Sequence, residues 1–180
     1  MTKCNITDTI NFIRSIYNTK DIIHLHEPKF VGNERKYLLD AMDSTLVSQI
    51  GPYVDRFEND MSLFTGTKKT VAVVNGTCAL QVALRLAGVQ NNDEVLTQAL
   101  TFVATANSIS YLGANPVFID VDLDTMGLSP KSLEEFLNQN AEIRDDGSYN
   151  KKTGKRFSAC LPMHTFGFMC RIDEIVEICD

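Results

Sequence analysis

The chain has 180 residues, 44% apolar and 22% charged, with a net charge of −6. That length can bury a real core and usually makes one domain, while the acidic balance argues against nucleic acid as a main partner. No apolar run reaches the roughly 20 residues needed to cross a bilayer, and the polar N-terminus with Asp8 is not a secretory signal, so no membrane partner and a cytoplasmic location are expected.

Residues 5–18 place Ile6, Ile10, Ile13, Ile16 and Tyr17 at spacings of three and four, which predicts an amphipathic helix. Ile22–Pro28 reads as a short extended segment. Gly32–Leu46 resumes a helical pattern through Tyr37, Leu38, Ala41 and Met42. After the Gly51-Pro52 turn, Val54, Phe57, Met61 and Phe64 predict a third helix closed by Gly66.

From Thr70 the pattern changes. TVAVV (70–74) reads as an apolar strand, Asn75-Gly76-Thr77 as a tight turn, and Ala79–Ala87 as a helix stopped by Gly88. Glu94–Gln98 is a second strand, Phe102–Leu112 a helix, and Pro116–Val121 a third strand. Ser129 is a good N-cap with Pro130 at the first helical position. Residues 138–156 are polar, with Lys151, Lys152, Lys155 and Arg156 near Asp145 and Asp146, and read as a surface excursion of hairpin type. Phe157–Pro162 is a fourth strand and Ile172–Cys179 a helix. Strands alternating with helices predict an α/β class with a mostly parallel sheet and helices on both faces.

The chemistry should sit at the carboxyl ends of those strands. A helix opening directly behind Gly76 presents free N–H groups and the positive end of its dipole, which suits a phosphate or carboxylate; an ordinary strand–helix turn is the other reading. G-x-G-x-x-G and G-K-[ST] are both absent, which removes the dinucleotide and P-loop explanations. Phe102, at the next strand end, is either core or a platform for a flat ring. His164 is either an acid/base group or a structural residue. Cys4, Cys78, Cys160, Cys170 and Cys179 form no C-x-x-C pair and read as small buried hydrophobes in a reducing setting. His24, His26 and His164 lack ligand spacing, so no metal is expected.

Five segments carry a family resemblance: LHEPKFVGNE (25–34), GPYVDRFE (51–58), VVNGTCALQVAL (73–84), TFVATANSISYLGANPVFIDVD (101–122), and MHTFGF (163–168) with RID (171–173). Together they resemble the N-terminal part of a pyridoxal-phosphate-dependent sugar aminotransferase of the DegT/DnrJ/StrS type. The opening segment is similar to the branch acting on nucleotide-linked 4-keto-6-deoxy-hexosamines of the legionaminic acid and bacillosamine type, which feed surface glycans.

The resemblance implies a partial fold type I large domain. Residues 1–66 would be an N-terminal helical and turn segment, and 67–180 an incomplete cofactor-binding domain lacking its remainder and the C-terminal small domain. It implies pyridoxal 5′-phosphate as cofactor, a nucleotide-sugar substrate, an amino-acid donor such as glutamate, and a homodimer. Gly76, Thr77 and Cys78 would hold the cofactor phosphate, Cys78 standing where many members have alanine. Phe102 would stack on the pyridine ring, and the loop at Gly51 would lie near the active site at the dimer interface. The family's Schiff-base lysine and its aspartate on the pyridine nitrogen lie further along than Asp180. Lys68, Lys69 and the 151–155 group do not match that lysine, so no catalytic residue is expected in this chain. By itself it should be inactive and unstable, because the first strand lacks its sheet neighbours. A sugar dehydratase of the same family, with histidine in place of that lysine, and a non-catalytic anion- or nucleotide-binding α/β module are the alternatives.

Overall fold

The computed structural model describes residues 5–24, 27–48 and 50–180; Cys4, and Leu25 and His26 of the LHEP opening, lie outside the described residues. Two units are distinguished, Met1–Thr70 and Val71–Asp180.

The first unit holds three helices, α1 (Ile6–Tyr17), α2 (Glu34–Asp43) and α3 (Pro52–Thr65). The Asn5 side chain caps α1 by accepting from the Thr7 N–H at 3.1 Å. Pro52 opens α3 with its fixed φ, and Gly66 closes it in the left-handed region at φ 69°. Between α2 and α3, the rings of Tyr37 and Tyr53 lie 5.2 Å apart, and the Tyr53 hydroxyl donates to Asp40 Oδ2 at 3.0 Å.

The second unit contains α4 (Gly76–Leu86), β1 (Glu94–Gln98), α5 (Val103–Ser110), β2 (Asn115–Ile119), α6 (Pro130–Asn140), β3 (Ala141–Arg144), β4 (Gly147–Asn150), β5 (Arg156–Leu161) and α7 (Ile172–Cys179). The strand order is β2-β1-β5-β4-β3. β1 runs parallel to both β2 and β5, whereas β4 is antiparallel to β5 and to β3. The polar run at 138–156 is thus a hairpin added to one edge of the parallel sheet. Glu94, buried at the start of β1, anchors it by accepting from Asn150 Nδ2 at 2.8 Å and Thr153 Oγ1 at 2.9 Å.

β1 is buried along its whole length, as a strand covered on both faces must be. Successive side chains alternate, so Val95 and Leu96 enter different cores. Val95 packs with Leu84 of α4 and Ile109 of α5. Leu96 joins Leu128, Leu133 of α6, Phe157 and Ile175 of α7. Helices on both faces of a mixed sheet, parallel across β2-β1-β5 and antiparallel in the added hairpin, match the expected α/β class.

Residues 70–74 do not form the strand that their valines suggest. Val71, Val73 and Val74 are exposed instead. β-branched residues favour a pleated ladder only when another strand supplies its other side; the sheet of the described residues offers these residues none. The helix predicted from Phe102 begins at Val103, with Phe102 as its capping residue in extended geometry.

Candidate cofactor site

The first turn of α4 is built by Asn75. Its backbone is extended, and its side chain accepts from the Cys78 N–H at 2.9 Å, a helix cap. Gly76 and Thr77 are the first two helical residues, whose N–H groups have no partner within the helix. Gly76 borders open space, since a Cβ there would meet nothing within 4 Å. Room, two free donors and the positive helix end together fit the phosphate of a cofactor. The Thr77 hydroxyl sits on the same turn. Of the three residues expected to hold the anion, only Cys78 has its N–H already engaged, by Asn75.

Phe102 heads α5, the helix packed beside α4 through Leu84 and Ile109. Its ring is 73% exposed, so it is not core. It stands past the carboxyl end of β1, within two residues of the exposed Leu100 and Val103. Phe166, after β5, is 83% exposed and held in the left-handed region at φ 55°, an uncommon conformation for a bulky residue. His164 Nδ1 accepts from the Cys170 N–H at 3.2 Å, tying the loop after β5 to the segment before α7.

Sequence reasoning missed the residue that organises this end of the sheet. Gln98, the last residue of β1, is fully buried. Its Oε1 accepts from the Leu128 N–H at 2.8 Å and the Met163 N–H at 3.1 Å. Its Nε2 donates to Leu100 O at 2.9 Å, Met126 O at 3.3 Å and Thr165 Oγ1 at 3.0 Å. Two N–H donors on one side and acceptors on the other fix the amide's orientation. One side chain therefore joins the loops following all three parallel strands. A polar residue closing an otherwise buried strand was the available signal.

A second clamp is Arg171, at the start of α7. Its guanidinium pairs with Asp122 and, at 2.6 Å, with Asp124, both in the loop after β2. The hydrogen bond from Arg171 holds the Asp124 carboxyl below its ordinary value. Asp122 and Arg171 belong to segments that carry the family resemblance, and the ion pair gives them a physical role.

A model of the DegT/DnrJ/EryC1/StrS aminotransferase family matches residues 28–180. The chain belongs to this aminotransferase family. It is 35% identical over 156 residues to GDP-perosamine synthase of Caulobacter vibrioides, covering 87% of this chain and 38% of that protein. It is 42% identical over 129 residues to UDP-2-acetamido-2-deoxy-3-oxo-D-glucuronate aminotransferase of Pseudomonas aeruginosa, covering 72% of this chain and 32% of that one. Among solved structures it resembles Spr1654 of Streptococcus pneumoniae in its PLP-form, with a TM-score of 0.65 and 26% identity, over 87% of this chain and 36% of that chain. The family's aminotransferases depend on pyridoxal phosphate, and the chain spans about a third of the length of the relatives it matches. No helix among the described residues is long and apolar enough to cross a membrane.

Proposed function

We propose that residues 67–180 are the phosphate-holding part of a sugar-nucleotide aminotransferase, with residues 1–66 as its N-terminal helical segment. The observation that carries this is the open first turn of α4, with two unengaged N–H groups, in a chain of this family. When bound, pyridoxal phosphate supplies the electron sink that lets an amino group move between an amino acid and a keto carbonyl. Gly76 and Thr77 bind the phosphate through N–H groups, with the Thr77 hydroxyl as a further donor. The Cys78 N–H joins them if the Asn75 side chain swings away. Phe102 stacks on the ring and shields one face from water. Gln98 holds the surrounding loops in place.

The substrate class is a keto-sugar nucleotide and the donor glutamate, in a cytoplasmic homodimer making surface glycans. Two relatives with nucleotide sugars in their names support this reading. The family's lysine and pyridine-nitrogen aspartate are placed outside residues 1–180. Conversion of glutamate to 2-oxoglutarate by the 180-residue chain would overturn that placement.

The phosphate site is tested by comparing pyridoxamine 5′-phosphate with pyridoxamine in fluorescence titrations. Neither carries an aldehyde, so surface lysines cannot trap them. The phosphate should strengthen binding about tenfold or more, an energy that a helix terminus supplies in favourable geometry. Thr77→Val should erode that preference while leaving the thermal melt in place. Equal binding of the two compounds would refute the site.

A further inference from the structure

β5 contains a one-residue irregularity. Glu94 pairs with Phe157, but Val95 pairs with Ala159, so Ser158 is the extra residue of a bulge. Side chains along a strand alternate between faces, and an inserted residue reverses the parity of everything after it. Phe157 and Cys160 therefore share the face of Leu96, where α6 and α7 pack. Without the bulge Cys160 would face α4 and α5. On α7, Cys179 lies one turn beyond the buried Ile175 and on the same side as Ile172. Both thiols line one groove of about 790 Å³, walled by Leu137, Ala141 and Ile178. Each thiol perturbs the other's titration, as near neighbours in one groove do.

We propose that Cys160 and Cys179 form a peroxide-sensitive dithiol, in which Cys179 is oxidised first and Cys160 resolves it to a disulfide joining β5 to the end of α7. The oxidant is a hydroperoxide. The Cys179 sulfur attacks one peroxide oxygen, the O–O bond breaks, and the other oxygen leaves as an alcohol or water with the thiol proton. The peroxide is thereby reduced and Cys179 becomes a sulfenic acid. The Cys160 sulfur then attacks the Cys179 sulfur, and its proton leaves with the hydroxide as water.

The roles are unequal for physical reasons. Cys179 is exposed and Cys160 is half-buried. The hydrogen bond from Cys160 lowers the Cys179 thiol to about 7. That same bond and burial push the Cys160 thiol well up. A lowered thiol holds more thiolate near neutral pH than an ordinary one, and lower basicity gives back only part of that gain in nucleophilicity. The charged groups facing the pair are Glu134 on α6, and Glu177 and Asp180 at the end of α7. Asp180 opposes the lowering of Cys179, and no cation lines the groove among the described residues. Three carboxylates repel an anionic oxidant such as glutathione disulfide and leave a neutral hydroperoxide favoured.

The test is hydrogen peroxide treatment of the native full-length protein, followed by alkylation and non-reducing peptide mass mapping, with a parallel sample in urea. The expected native product is a Cys160–Cys179 linkage with Cys78 and Cys170 still alkylatable, whereas the urea sample pairs its thiols without preference. Loss of Cys179 thiol should rise with pH through about 7 and level off roughly one unit above it, where the reactive thiolate is almost fully formed. An ordinary thiol keeps gaining rate up to and beyond its higher value. Cys160→Ser should leave a persistent Cys179 sulfenic acid captured by dimedone, and Cys179→Ser should leave Cys160 reduced. A different native pairing, a native pattern identical to that in urea, or a rate still climbing through pH 9 would overturn the proposal. The wild-type mapping decides the matter even if either variant fails to fold.

Discussion

Replacing Gln98 by leucine is expected to destabilise the protein by about 3–5 kcal/mol, measured by chemical denaturation. Leucine matches the apolar stem of glutamine but satisfies none of its partners. The Leu128 and Met163 N–H groups both donate to Gln98 Oε1. The Leu100 and Met126 carbonyls accept from Gln98 Nε2. An unpaired buried polar group costs about 1–3 kcal/mol, and the Leu128 and Met163 N–H groups would both lose their acceptor, whereas water can reach the carbonyls of the exposed Leu100 and Met126. Partial recovery comes from Thr165, whose hydroxyl donates independently to Met126 O at 2.7 Å. That is why the expected total stays below the simple sum. A loss under 1 kcal/mol would show that water or loop rearrangement replaces the amide, and that Gln98 does not organise the strand ends.

Leu133→Ala is expected to cost about 2–5 kcal/mol, nearer the upper end. Leu133 lies on α6 with no exposed surface, within the cluster that also holds Leu96, Phe157 and Ile175. Its neighbours belong to β1, β5 and α7, elements fixed by strand pairing, so the space left by the truncation cannot collapse. The contrast is Leu123→Ala. Leu123 is 95% exposed, and its truncation should fall within about 0.5 kcal/mol of wild type. Thermal melts of the two variants should separate by several degrees. Coincident melts would mean that α6 is not packed on the sheet as described.

Elements governed by local chemistry were the most legible in the sequence. Pro52 and Gly66 bounded α3, Ser129 and Pro130 opened α6, and the runs at 94–98 and 157–162 were strands within a residue of their predicted limits. What failed depended on distant partners. TVAVV has strand composition, yet a strand exists only where another chain segment lies alongside it. The polar run at 138–156 was legible as an excursion, but nothing local indicated that Glu94 would anchor it. The site was half legible: the Asn75-Gly76-Thr77 turn announces itself through a glycine between a valine run and a helix. The engagement of the Cys78 N–H by Asn75 was not foreseen. Gln98 escaped because its bonds run to residues with no periodic relation to it. The bulge at Ser158 escaped for a related reason, since only pairing with β1 reveals an extra residue.

The Gln98 junction also bears on the order in which the molecule assembles. β1, α5 and β2 are neighbours in sequence and can close early. The bonds from Gln98 to Leu128, Met163 and Thr165 span 30, 65 and 67 residues, so they form only after β5 has threaded in beside β1. Contacts that form after the rate-limiting step change how fast a protein unfolds and leave its folding rate nearly untouched. Kinetics of Gln98→Leu should therefore show the whole loss in the unfolding arm, and a slowed folding arm would contradict this order. The loops around the cofactor turn would then be the last part to set and the first to loosen, so the site can come apart while the two cores are still intact.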